Sequence, residues 1–208
     1  MENSEKYLSE IKEIRKMMEE SSRFLSLSGL SGVLVGVYAL IGSVIVYRLI
    51  NTDSHLGIIP DYSLSPQIST VAAVILLLSL ITIVLLTASR AKKAGKKFWN
   101  PGSRLMLVNL AIPIVTGGIL IIIFASRQMY EIVSPACLVF YGLALINAAK
   151  FTRQEIFWLG IFEVSLGILA ALFPSLGLYF WALGFGVLHI IYGILMYFRY
   201  EYQSKLKS

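Results

Sequence analysis

The sequence predicts an all-α integral membrane protein: a six-transmembrane-helix bundle with both termini cytoplasmic, preceded by an amphipathic N-terminal helix. Three observations carry that expectation. The 208 residues are 57% hydrophobic and 14% charged, with a mean hydropathy of +0.75, where a soluble domain has about 45–50% and about 25%. Apolar stretches of the length needed to cross a hydrocarbon core about 30 Å thick recur six times. The lysines and arginines crowd onto alternate connections. This balance excludes a soluble globular enzyme, a disordered chain and a nucleic-acid-binding module. The single cysteine, Cys137, excludes a disulfide framework or a zinc ribbon.

Residues 1–23 are expected to form a cytoplasmic amphipathic helix. No Gly or Pro interrupts positions 4–23, and Tyr7, Ile11, Ile14, Met18, Ser21 and Leu25 recur at steps of four and three, a heptad stripe. Arg15–Glu19, Lys16–Glu20 and Glu19–Arg23 pair across one turn. Five positive and six negative side chains nearly cancel, which argues against an electrostatic lipid anchor. The segment lacks the plan of a cleavable leader and is expected to stay.

Residues 24–199 hold the spans, read at about 24–50, 68–89, 104–125, 132–150, 155–173 and 177–198, and 200–208 form a short tail. In the first span the heptad stripe continues through Ser28, Gly32, Gly36, Ala39 and Ser43. Such a face lets helix backbones approach closely. It serves either packing within one chain or a homodimer seam prolonged by the N-terminal helix. Pro113 lies inside the third span and Pro135 near the start of the fourth. Only Pro174, Ser175 and Leu176 separate the fifth and sixth spans, which makes those two helices antiparallel neighbours.

The charges set the topology. The N-terminal segment holds five basic residues, and the second connection with its span edge holds six (Arg90, Lys92, Lys93, Lys96, Lys97, Arg104). Lys150 and Arg153 flank the fourth connection, and Arg199, Lys205 and Lys207 follow the last span. The opposite side has Arg48 and Arg127. Sixteen against two predicts both termini inside, an even number of spans, and a multi-pass protein of the inner (plasma) membrane. The formal charge of +6 then needs no nucleic acid; the lysine run reads as a loop touching anionic lipid.

Two ionisable residues lie deep in spans: Glu163 in the fifth and His189 in the sixth. Acidic residues there cost about 2.5–3.5 kcal/mol on insertion scales and commonly face the protein interior. Eight residues separate Glu163 from Glu155 and ten separate His189 from Arg199, so their depths match to within about 3 Å at 1.5 Å per residue. Each has a glycine three before and four after: Gly160 and Gly167, Gly186 and Gly193. Those glycines are expected to let the fifth and sixth helices close and hold the pair within hydrogen-bonding reach. Dry surroundings disfavour both charges while mutual attraction favours them, so a shared proton is the functional expectation and a fixed helix register the structural one. Asn109, Asn147, Tyr141 and Tyr192 extend the candidate ligand- or proton-binding set toward the cytoplasm, or else serve as ordinary interhelical hydrogen bonds.

No metalloprotease, nucleophile-elbow or phosphate-loop motif is present. Asp53, His55 and Asp61 read as an exposed outer loop rather than a metal site, and Cys137 as a buried inert thiol. No catalytic residue, cofactor or metal is expected.

The segment Phe157–Met196, with the run Gly-Ile-Leu-Ala-Ala-Leu-Phe-Pro (Gly167 to Pro174) and a second Gly-rich span, resembles the small six-span bacterial membrane proteins of the HdeD acid-resistance type. The likeness covers about 40 of 208 residues, and the charged N-terminal helix departs from that pattern. The whole chain also resembles uncharacterised six-span bacterial proteins. Neither resemblance supplies site residues. Two functions follow as expectations: proton- or cation-linked transport or small-ligand binding at the Glu163–His189 pair, or a non-catalytic stress or regulatory role acting through the N-terminal helix. An intramembrane enzyme ranks behind both.

Overall fold

A computed structural model describes Tyr7 and residues 28–55, 66–93, 95 and 98–202 of the chain. Each apolar stretch forms one helical span: α1 (Gly29–His55), α2 (Pro66–Lys93), α3 (Pro101–Ser126), α4 (Val133–Ala149), α5 (Gln154–Leu172) and α6 (Pro174–Tyr202). All six are long and apolar enough to cross a membrane, and no strand occurs among the described residues. The N-terminal amphipathic helix lies outside the described residues except for Tyr7, which is helical and exposed.

Local chemistry fixes the helix ends. Gly95 adopts φ +64° behind α2 and donates its N–H back to the Lys92 carbonyl, a left-handed position that suits glycine. The Asn100 side chain accepts from the Ser103 N–H, Ser103 Oγ accepts from the Asn100 N–H, and Pro101 opens α3. That reciprocal cap satisfies donors that no helical carbonyl can reach. Pro135 is tolerated because it sits in the first turn of α4, where its missing N–H has no intrahelical partner. Pro113 removes the bond that would reach the Asn109 carbonyl, yet α3 runs on through it.

The packing order differs from the chain order. α4 and α5 form the most extensive helix pair, α3 packs on α4, and α1 packs on both α2 and α6. α6 is inserted between the α4–α5 pair and α1. The outer helices α2 and α3 keep long apolar side chains such as Leu77, Leu85, Ile112 and Ile122 exposed, as surfaces facing acyl chains require.

Two expectations need correction. α1 continues through His55, so Asp53 and His55 lie on its last turn rather than in a loop. The glycines flanking Glu163 and His189 do not close α5 on α6. A Cβ on Gly160 would meet the Gly142 carbonyl and Ile146, and one on Gly167 would meet Val139 and Leu138, all on α4. A Cβ on Gly186 would meet Leu40, and one on Gly193 the backbone of Gly29, Gly32 and Val33, all on α1. Of the two readings of the small-residue face, packing within one chain is the one present: Gly32 and Gly36 approach Gly193, Gly186 and Ile190. That face is therefore covered by α6 of the same chain.

Candidate functional site

The inward stripe of α5 is Ile156, Leu159, Gly160, Glu163, Gly167 and Ala170, the three- and four-residue spacing of one helix face. Glu163 is the charged exception at its centre and is 0% exposed. His189 approaches from α6 and is 4% exposed. Its Nδ1 lies 3.5 Å from Glu163 Oε1, so the expected meeting at one level is present in the structure. The closer partner of Nδ1 is the Gly184 carbonyl, at 3.0 Å.

That contact fixes the imidazole. A carbonyl only accepts, so Nδ1 carries the hydrogen. Nε2 lies 2.8 Å from the Tyr141 hydroxyl of α4. Nε2 accepts from Tyr141 while the ring is neutral and donates to Tyr141 when the ring is charged. The direction of this one bond therefore reports the charge state of His189.

Beyond that 3.5 Å approach to His189, nothing among the described residues engages the Glu163 carboxyl. Neither carboxyl oxygen has a hydrogen-bond partner among the described residues. A buried carboxylate in that condition costs several kcal/mol, on the order of the penalty for any uncompensated buried ion. It can relieve that cost as the neutral acid, beside an imidazolium, or by holding a cation.

The space for the carboxyl comes from a residue that sequence reasoning missed. A Cβ on Gly184 would stand 2.5 Å from Glu163 Oε2 and 2.6 Å from Leu138 Cδ2. Gly184 lies in a π-helical stretch, Ala182–Leu188, that ends at His189. Its i→i+5 pattern sets Gly184 behind His189 in the same groove, and such stretches recur at functional sites. The spacing rule drew attention to Gly186, two residues away, and no sequence pattern signals a π turn.

On the far side, toward the start of α6, aromatic rings cap the pair. Phe185 stacks on His189 at 5.9 Å between centroids, with Tyr141 and Trp181 at 5.0 and 5.1 Å from Phe185. Leu138 is fully buried there.

The other candidates divide. Tyr141 is in the site. Tyr192, one turn beyond His189, has a buried hydroxyl with no hydrogen-bond partner among the described residues. Asn109 is turned to its own helix, donating to the Leu105 carbonyl at 2.8 Å, and takes no part. Asn147 is half-buried on α4 and is not a partner of the Glu163 carboxyl.

A second polar cluster joins the helix ends on the side of Arg153 and Arg199. Glu201 Oε1 accepts from the Gly29 N–H at 2.6 Å and from Arg90 at 2.8 Å. Glu155 pairs with Arg199 at 2.8 Å and accepts from the Tyr200 hydroxyl at 2.6 Å. Arg153 lies over the Tyr200 ring, 3.4 Å from its centroid. Residues that the charge count assigned to one side of the membrane thus meet at one end of the bundle. No protein-family model, curated protein or solved structure matches the chain, so the roles of these residues rest on their geometry.

Proposed function

We propose that the protein binds a proton at the Glu163–His189 pair and couples it to transport across the inner (plasma) membrane. In this reading the Arg153–Arg199 end faces the cytoplasm and both termini lie inside. The observation that carries it is the fully buried carboxyl, 3.5 Å from an imidazole, whose two oxygens have no hydrogen bond among the described residues. A group kept only for helix register would be expected to have its hydrogen bonds satisfied. Intramembrane carboxylates with a histidine partner are the usual material of proton pathways. Among the described residues no group of three His, Cys, Asp or Glu side chains gathers, which favours a proton over a metal ion as the bound species.

Reconstitution tests the reading. Vesicles containing the protein and an internal pH dye should dissipate an imposed pH gradient, and Glu163→Gln should abolish this while the protein still folds. Absence of flux, or flux unchanged in Glu163→Gln, overturns the proposal. If deletion of residues 1–22 then destroys the cellular phenotype, a regulatory role through the N-terminal helix replaces it. Cysteine labelling at position 205 from outside intact cells should fail if the C-terminus is inside.

A further inference from the structure

The pair is closed on one side and leads somewhere on the other. Toward the start of α6 it meets Phe185, Trp181 and Leu138, none of which can relay a proton. Toward the end of α6 it meets two hydroxyls. Tyr141 already touches His189 Nε2 and lies within electrostatic reach of both Glu163 and Tyr192. The Tyr192 hydroxyl in turn lies within electrostatic reach of Glu155, Arg153, Tyr200 and Arg90. Tyr141 and Tyr192 pack on the same apolar cluster, Leu145, Ile156 and Leu159, which separates the pair from the charged end. Tyr192 is thus a buried hydroxyl without a hydrogen-bond partner among the described residues, set in an apolar belt between two polar groups.

We propose that Tyr192 is the relay through which the Glu163–His189 pair exchanges its proton with the arginine-bearing end of the bundle, and that in this conformation the pair is open to that end and closed to the other, which transport reaches through a second, slower conformation. This deepens the proton-binding reading and rests on it. The step balances without any co-reactant. A proton taken up by the Glu155 carboxylate passes to Tyr192 as Tyr192 gives its own toward Tyr141. Tyr141 gives its hydrogen to His189 Nε2 and is reloaded from Tyr192. One proton has moved, both tyrosines are unchanged, and His189 stands as an imidazolium beside the Glu163 carboxylate. The relay requires a bridging water between Tyr192 and each of its neighbours on the path, the kind of position at which buried waters settle because polar groups there lack partners. The charged and titratable groups around the path are Arg90 on α2, Tyr141 on α4, Arg153 and Glu155 at the start of α5, and His189, Arg199, Tyr200 and Glu201 on α6, with Arg199 2.8 Å from Glu155 and Glu201 2.8 Å from Arg90.

A relay changes rates without changing equilibria, and that separates it from a structural role. The experiment uses the full chain in sealed vesicles, sorted by a C-terminal affinity tag into those with the C-terminus outward and those with it inward. An external pH step is applied, and the infrared imidazolium band lost in His189→Gln is followed in time. The wild-type band should respond promptly only when the C-terminus faces the stepped side. Tyr192→Phe should keep the same midpoint and slow the response by about a hundredfold, the lower end of what a positioned proton donor contributes. An unslowed Tyr192→Phe, or a prompt response from the opposite face in wild type, overturns the relay while leaving the pair as a proton site. Absence of any pH-dependent band in wild type overturns the proton-binding reading and the relay with it.

Discussion

Gly184 and Glu163 occupy one another's space, and each constrains what the other can be. A methyl group at position 184 would press on the carboxyl and on Leu138, so Gly184→Ala is expected to destabilise by about 1–3 kcal/mol, the usual cost of overpacking. It should also displace the carboxyl from His189. Thermal unfolding in detergent measures the first effect, and loss of the pH response measures the second. The opposite sign is expected at Glu163. A buried polar group without a hydrogen bond costs about 1–3 kcal/mol, and an apolar side chain of similar volume removes that cost, so Glu163→Leu should unfold at a higher temperature than wild type while losing proton exchange. A drop in unfolding temperature would mean the carboxyl holds the fold together.

At the scale of elements, close helix approach is concentrated at two seams, α4 on α5 and α1 on α6. At the second, a Cβ on Gly193 would meet only backbone of α1, and backbone cannot turn aside as a side chain can. Gly193→Ala should therefore separate α1 from α6 and destabilise strongly. Gly118, on the outer helix α3, faces open space, and Gly118→Ala should be neutral or gain up to about 1 kcal/mol from lost unfolded-state freedom. Thermal unfolding of the two variants side by side checks this. The contrast also marks what a sequence can reveal. The spans were legible because an apolar run of about 20 residues is a local property, and the paired glycines were legible as close-packing positions. Which neighbour each glycine faced was not, because that depends on α6 being inserted between helices distant from it in the chain. Gly184 was hidden for another reason: residues 3.6 to the turn place it off the His189 face, and only the π stretch brings it round.

For the whole molecule, one end is tied by charge. Glu201 holds the first residue of α1 and Arg90 of α2 with the same oxygen, and its side chain and that of Arg90 are 18% and 19% exposed. Partly desolvated pairs of this kind couple measurably, and a double-mutant cycle between Arg90→Ala and Glu201→Ala should return about 1 kcal/mol or more. The same cycle on Arg199 and Glu155 should return less, because Arg199 is 66% exposed and water screens it. The charge count read these arginines as markers of sidedness and could not show that Glu155 and Glu201 draw them into a clasp, since acidic partners on other helices leave no mark on a single segment.

The aromatic stack above the pair gives the protein its own optical probe. Trp181, Phe185 and His189 follow one another at 5.1 and 5.9 Å, so the indole sits about two ring widths from the imidazole. A unit charge appearing at that range in a dry interior changes the local potential by about 1–2 kcal/mol at an effective dielectric of 20, enough to move an indole emission band. Trp99 and Trp158 are exposed near the opposite edge and can be replaced by phenylalanine. Trp181 then becomes the only fluorophore of its kind, and its colour should follow the arrival and departure of each proton without any label.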